Sequence, residues 1–245
     1  MTPRFVLVGM LLLASLAAAP QQFSSGQARV SLVELYTSEG CSSCPPAERF
    51  LGSLKDSAGL WQTYVPISLH VDYWNGGGWT DRLSTATFTA RQYAYGRSGT
   101  VGSIYTPCFM VDGHEWEPRG HLPRPQGRPG VLRVALLGGF CQVDFAAPEL
   151  AAEKRTHFLA HAALLAGGLS SRVTGGENEG RTLPHEFAVI RLVDGDLACT
   201  CQHLQGKIAF PLASPLPAPR HAVAVWVTRR DELTPLQATG GWINE

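Results

Sequence analysis

The sequence predicts an α/β N-terminal domain followed by an all-β, sandwich-like C-terminal domain. Three observations carry this expectation. Val30 to Ala47 reads as strand, turn, Cys-x-x-Cys and helix start. Gly120 to Gly130 holds three prolines and three glycines, which excludes a helix or an inner strand and marks an interdomain linker. Beyond it, short strand patterns recur with turn signals between them, as in a sandwich. The expected division is 1–19 as an export signal, 28–119 as the α/β domain, 120–130 as the linker and 131–245 as the β domain.

Each element follows in order. Gln21 to Ala28 is a polar lead-in. The first strand is a short, mostly apolar, β-branched run from Val30, closed by Ser38-Glu39-Gly40. Pro45 and Pro46 suit the first turn of a helix, where a missing N–H is tolerated. Phe50, Leu51 and Leu54 then supply its apolar positions. Val65 to Tyr73 reads as the second strand and Asn75 to Trp79 as a glycine-rich loop. Thr85 to Tyr95 is helical, Gly96 to Gly102 a flexible connection, and Thr106 to Val111 the third strand. Asp112-Gly113 turns the chain into a short fourth strand. After the linker, Val131 to Leu137 and Phe140 to Ala146 form a hairpin around Gly138-Gly139. Further strands are expected over 156–165, 186–193, 207–212, 221–228 and 236–243.

Composition narrows the partners. The chain has 245 residues, a formal net charge of zero and only 16% charged residues, and no basic block argues for nucleic acid. Met1 to Ala19 has the form of a secretory signal: Arg4, then apolar Phe5 to Leu16, then Ala17-Ala18-Ala19. Its apolar run is shorter than the roughly 20 residues of a membrane-spanning helix. The expected protein is therefore periplasmic or secreted, with no stable membrane anchor after signal cleavage; the oligomeric state is not legible. Six cysteines in an exported chain are open to oxidation. Cys108, Cys141, Cys199 and Cys201 allow three full pairings, and nothing in the sequence chooses among them.

The chemistry centres on Cys41 and Cys44. A cysteine at a helix N-terminus meets the positive end of the dipole and unpaired N–H groups, which favour the thiolate that attacks disulfides. Strand, turn, Cys-x-x-Cys, helix is the opening of a thioredoxin-type redox unit; a structural disulfide or half a zinc site is the plainer alternative. Glu34 is the one ionisable residue in the first strand. Buried beneath the site, it would take a proton from Cys44; at the sheet surface it would do nothing. His70, Asp72, Tyr73, Trp74 and Trp79 cluster at the end of the second strand and its loop, where loop packing is favoured over a wall of the site. Cys199, Cys201 and His203 alternate and would share one face of a strand, although a disulfide or ordinary burial is favoured over a metal. Gly176 to Arg181 reads as a turn-rich loop, since it lacks the helix and Lys of a phosphate loop.

Several blocks together carry a resemblance: Glu34 to Ala47, His70-Val71-Asp72-Tyr73-Trp74, Phe88 to Gln92, Tyr105-Thr106-Pro107 and Gly176 to His185. They resemble the signatures of an exported bacterial family catalogued as domain of unknown function 1223, placed in the thioredoxin-like superfamily. The resemblance implies a thioredoxin-like fold and a cis-proline, Pro107, facing the two cysteines; it supplies no activity. The Pro/Gly linker stands where such a fold closes with a helix, and Cys108 follows Pro107 unexpectedly. The leading expectation is an exported thiol–disulfide oxidoreductase with Cys41, Cys44, Pro107 and Glu34 as its site. It needs no cofactor and no metal, and its substrates are protein thiols or disulfides. Two alternatives remain: a copper-handling protein using the cysteines and His70, and a binding module with a structural disulfide.

Overall fold

A computed structural model describes residues 20–118, 120–153 and 156–244. The export-signal reading of 1–19 lies outside the described residues. The first half contains β1 (Gln21–Ser24), β2 (Ser31–Thr37), α1 (Cys44–Ser53), β3 (Tyr64–His70), α2 (Ala86–Arg97), β4 (Cys108–Val111) and β5 (His114–Trp116). The second half contains β6 (Val131–Leu137), β7 (Phe140–Ala146), α3 (Pro148–Ala151), β8 (Phe158–Gly167), β9 (Leu169–Arg172) and β10 (Thr182–His185). It ends with β11 (Ala188–Thr200), β12 (His203–Ala209), β13 (Arg220–Arg229) and β14 (Gln237–Trp242).

The expected α/β thioredoxin-like domain followed by a separate all-β sandwich is overturned. Strand makes up 43% and helix 13% of the structure, and twelve strands belong to one mixed sheet. The reason lies in β11. Its first residue pairs in parallel with β3, Ala188 opposite Ser68, and its last residues pair with β12. Between these ends it runs antiparallel to β8. One long strand thus serves both halves, and the sheet runs from β5 through β4, β2, β3, β11, β12, β7 and β6 to β1. β8, β13 and β14 branch from β11. No helix closes the first half after β5, because the chain enters the Pro/Gly segment instead.

That segment is tied down rather than free. Arg29 N–H donates to Gly127 O at 3.1 Å, and Gln237 Nε2 donates to Gly130 O and Ala28 O. The polar lead-in forms edge strand β1 on β6, with Gln21 opposite Leu136. Polar side chains alternate with half-buried ones there, so no apolar pattern announces the strand.

The core explains why the halves are inseparable. Along β8 and β13, Ala160, Ala162, Leu164, Val223, Val225 and Val227 join the apolar cluster of the β6–β7–β12 side. Their neighbours Ala163, Leu165, Ala222, Ala224 and Trp226 join the cluster of β2, β3 and α1. Successive side chains of a strand point to opposite faces, so this layer is buried on both. Trp226 is fully buried; Arg91 of α2 lies 5.2 Å from its ring centre and His161 stacks on it at 5.1 Å. Lys55 and Arg220 both pair with Glu186 at 2.9 Å, adding a polar tie across the halves.

Two outcomes follow from this shared core. Trp226→Ala should cost about 3–5 kcal/mol of stability, read by denaturant unfolding. A chain cut between 120 and 130 should yield no independently folded 131–245 fragment, and the intact chain should melt in one calorimetric transition; two separable transitions would contradict the shared core.

Candidate functional site

The site begins where β2 ends at Thr37. Ser38 Oγ accepts from Gly40 N–H at 3.1 Å and turns the chain toward α1. Gly40 suits a close approach, since a Cβ there would lie 3.1 Å from Trp74 O and press on it. Cys41 follows, Ser43 is the N-cap of α1, and Pro45 and Pro46 occupy its first turn. Cys41 Sγ lies 3.2 Å from Ser43 Oγ and 3.8 Å from Thr106 O. The Thr106–Pro107 peptide is cis, and Trp74 Nε1 donates to Thr106 Oγ1 at 2.7 Å. Cys41, Cys44 and the Thr106–Pro107 segment, named from sequence, therefore come together.

All six cysteines are free thiols. A hydrogen bond from the Cys44 thiol, assisted by Ser43, outweighs burial and brings the Cys41 thiol down to about 6. Burial pushes the Cys44 thiol well above the ordinary range. Burial likewise raises Cys108 and Cys141 to about 12, which leaves them inert at neutral pH. Cys199 and Cys201 are exposed; Cys201 sits in the turn after β11 with φ of 52°, and His203 is paired with Asp144 at 2.7 Å.

Glu34 does not reach the cysteines. It is fully buried but accepts from Arg91 Nε at 2.7 Å, Tyr95 Oη at 2.5 Å and Tyr36 Oη at 3.2 Å. Side chains alternate along β2, so Glu34 and Tyr36 face α2 while Thr37 faces α1. Thr37 Oγ1 donates to Glu48 Oε1 of α1 at 2.7 Å and also contacts the Cys44 thiol. The acid nearest the buried cysteine is thus Glu48, which sequence reasoning missed.

Glu48 belongs to a buried charged network. Its Oε2 lies 2.6 Å from His185 Nδ1, and His185 Nε2 lies 3.0 Å from Glu39 Oε1. Burial alone would lower His185, but the two carboxylates raise it to about 9. Beside it, His70 Nδ1 lies 2.7 Å from Asp81 Oδ2; burial opposes its charge, and Asp81 raises it nonetheless. Trp79 Nε1 donates to Glu39 Oε2 at 3.0 Å. His70 and Trp79 are therefore parts of this network rather than loop packing.

The second half covers the motif directly. The loop of residues 173–181, between β9 and β10, lies across it as a strap. Asn178, fully buried, donates from Nδ2 to Glu39 O and Cys41 O, both at 2.9 Å. Glu177 Oε2 accepts from Ser42 N–H at 3.0 Å and Ser42 Oγ at 2.7 Å. Gly175 permits the approach, because a Cβ there would meet Gly78 O at 2.7 Å. Cys41 is 1% exposed, where the helix-terminus reading implies an open sulfur. The paired glycines around a lone Asn were the only local signal of this strap.

Residues 32–127 match the family model described as Protein of unknown function (DUF1223). No curated protein matches. Among solved structures, Protein AGR_C_4864 from Agrobacterium tumefaciens aligns with a TM-score of 0.63 and 23% identity, covering 90% of this chain and 97% of that one. HBP35 of Porphyromonas gingivalis aligns with a TM-score of 0.60 and 13% identity, covering 89% and 76%. At these identities the likeness concerns the fold alone.

Asn178→Ala should cost about 1–3 kcal/mol by removing a buried donor from Glu39 O and from Cys41 O, the latter keeping Cys44 N–H at 3.2 Å. Alkylation of Cys41 should accelerate in the same variant as the strap loosens. Unchanged alkylation in a measurably destabilised variant would show that the strap does not govern access.

Proposed function

We propose that this chain is an exported thiol–disulfide oxidoreductase acting through Cys41 and Cys44. The observation that carries the reading is the asymmetry of the two sulfurs. Cys41 precedes the helix, its thiol held down to about 6 by the Cys44 thiol and Ser43, while burial keeps Cys44 protonated. Exchange chemistry uses that difference. The Cys41 thiolate attacks one sulfur of a substrate disulfide, the substrate S–S bond breaks, and the other sulfur departs as a thiolate. Cys44 then loses its proton to that released thiolate and attacks Cys41 of the mixed disulfide. The Cys41–Cys44 bond forms and the second substrate sulfur leaves, so the substrate gains the two electrons that the cysteines give up. The reverse sequence oxidises a dithiol.

The substrate in this reading is an extended protein segment, which reaches the buried Cys41 when the strap of residues 173–181 opens. Ser42 and Ser43 are exposed, Tyr105 is 38% exposed, and the half-buried Thr106–Pro107 backbone lies beside Cys41. Glu177 holds Ser42 on the same side and is positioned to select what enters. Export rests on the signal-like Met1 to Ala19. Among the described residues no helix is long and apolar enough to cross a membrane.

Cys44→Ala should trap a mixed disulfide with a thiol-containing partner, and Cys41→Ser should trap none. Alkylation of reduced wild type should rise with pH through an apparent pKa of about 6 and level off above it, because a lowered pKa populates the thiolate above that value. Slow, equal alkylation of both cysteines with an ordinary pKa near ~8.5 would refute the reading.

A further inference from the structure

Beneath the cysteine helix, β3, α1 and β10 each contribute one side chain to a single buried point. One donor atom each from Glu48, His70 and His185 lies within 4.8 Å of the other two. His70 and His185 are 0% and 1% exposed, and their rings meet edge to face at 5.1 Å. His70 Nδ1 is occupied by Asp81 at 2.7 Å, while its Nε2, fully shielded from water, has no hydrogen-bond partner. An unpartnered buried imidazole nitrogen carries a desolvation cost that the fold retains only for a reason.

The geometry points to a divalent transition-metal site of the zinc class, with His70 Nε2, His185 Nδ1 and Glu48 Oε2 as ligands. The ion takes the place of the proton between His185 Nδ1 and Glu48 Oε2, now 2.6 Å apart, and His70 Nε2 supplies the third donor. Two nitrogens and one carboxylate oxygen form a donor set suited to zinc. Every ligand has the outer support such sites use. Asp81 holds the other nitrogen of His70, and Glu39 Oε1 lies 3.0 Å from the other nitrogen of His185. Thr37 donates to the second oxygen of Glu48 at 2.7 Å. The set contains no sulfur, so it is distinct from a cysteine-based copper site. Its ligands come from both halves of the chain, so the ion ties β10 to β3 and α1.

The test loads the purified, metal-stripped full chain with Zn2+ or Co2+. The expected result is one ion per chain, a rise in melting temperature, and Co2+ d–d absorption with no thiolate charge-transfer band. The Cys41→Ser/Cys44→Ser double variant should bind equally well. Asp81→Asn, which removes the carboxylate beside His70 Nδ1, should weaken binding about 10- to 100-fold, and Glu48→Gln should weaken it further. Should the Glu48 variant fail to fold, the wild-type Co2+ spectrum and the cysteine variant still decide the matter. Absence of 1:1 binding to wild type would overturn the site. So would a thiolate band that disappears in the cysteine variant.

Discussion

The two-sided burial of β8 and β13 is the constraint on which the rest of the structure depends. Ala222 to Thr228 are buried without interruption, as are Ala160 to Gly167. Each large apolar side chain buried there contributes about 1.5–3 kcal/mol, and the contributions divide between two faces. One face is covered by β6, β7 and β12. The other is covered only by β2, β3 and the helices that flank them. The layer is thus closed by both halves together, and the sheet passes from one to the other through the pairing of β3 with β11.

Because the core is shared, the cysteine site is assembled from both halves. The backbone of Glu39 and Cys41 is held by Asn178, Ser42 by Glu177, and Glu48 of the cysteine helix by His185. These contacts span more than a hundred residues of sequence, and they exist because β9 to β11 run directly against α1 and β3. The strap and the Thr106–Pro107 backbone both border Cys41.

Burying this much charge requires pairing. Glu34 has Arg91 and two tyrosine hydroxyls; His70 has Asp81; His185 has two carboxylates. Removing one member of a buried pair typically costs about 3–5 kcal/mol, because the other is left uncompensated. Such pairs therefore link α1, α2, β3 and β10 to their neighbours at a high cost of separation. The same requirement explains why His70 Nε2 stands out: it is a fully buried imidazole nitrogen without a hydrogen-bond partner.

The sequence by itself determined the features set by neighbouring residues. The strand before Cys41, the prolines that open α1, the turn at Asp112-Gly113 and the hairpin around Gly138-Gly139 all follow from local propensity and short-range pattern. So does the placement of Cys41 just before a helix start. Only the tertiary structure decided what depends on which face meets which. Glu34 was legible as the lone acid of β2, but its parity turns it toward α2 and hands the position beside Cys44 to Thr37 and Glu48. A run such as Ala160 to Gly167 reads the same whether one sheet or two cover it, so the single continuous sheet could not be told from two domains. The strap was likewise hidden, because hydrogen bonds from Asn178 to Cys41 join residues 137 apart, and no local pattern encodes a contact at that range.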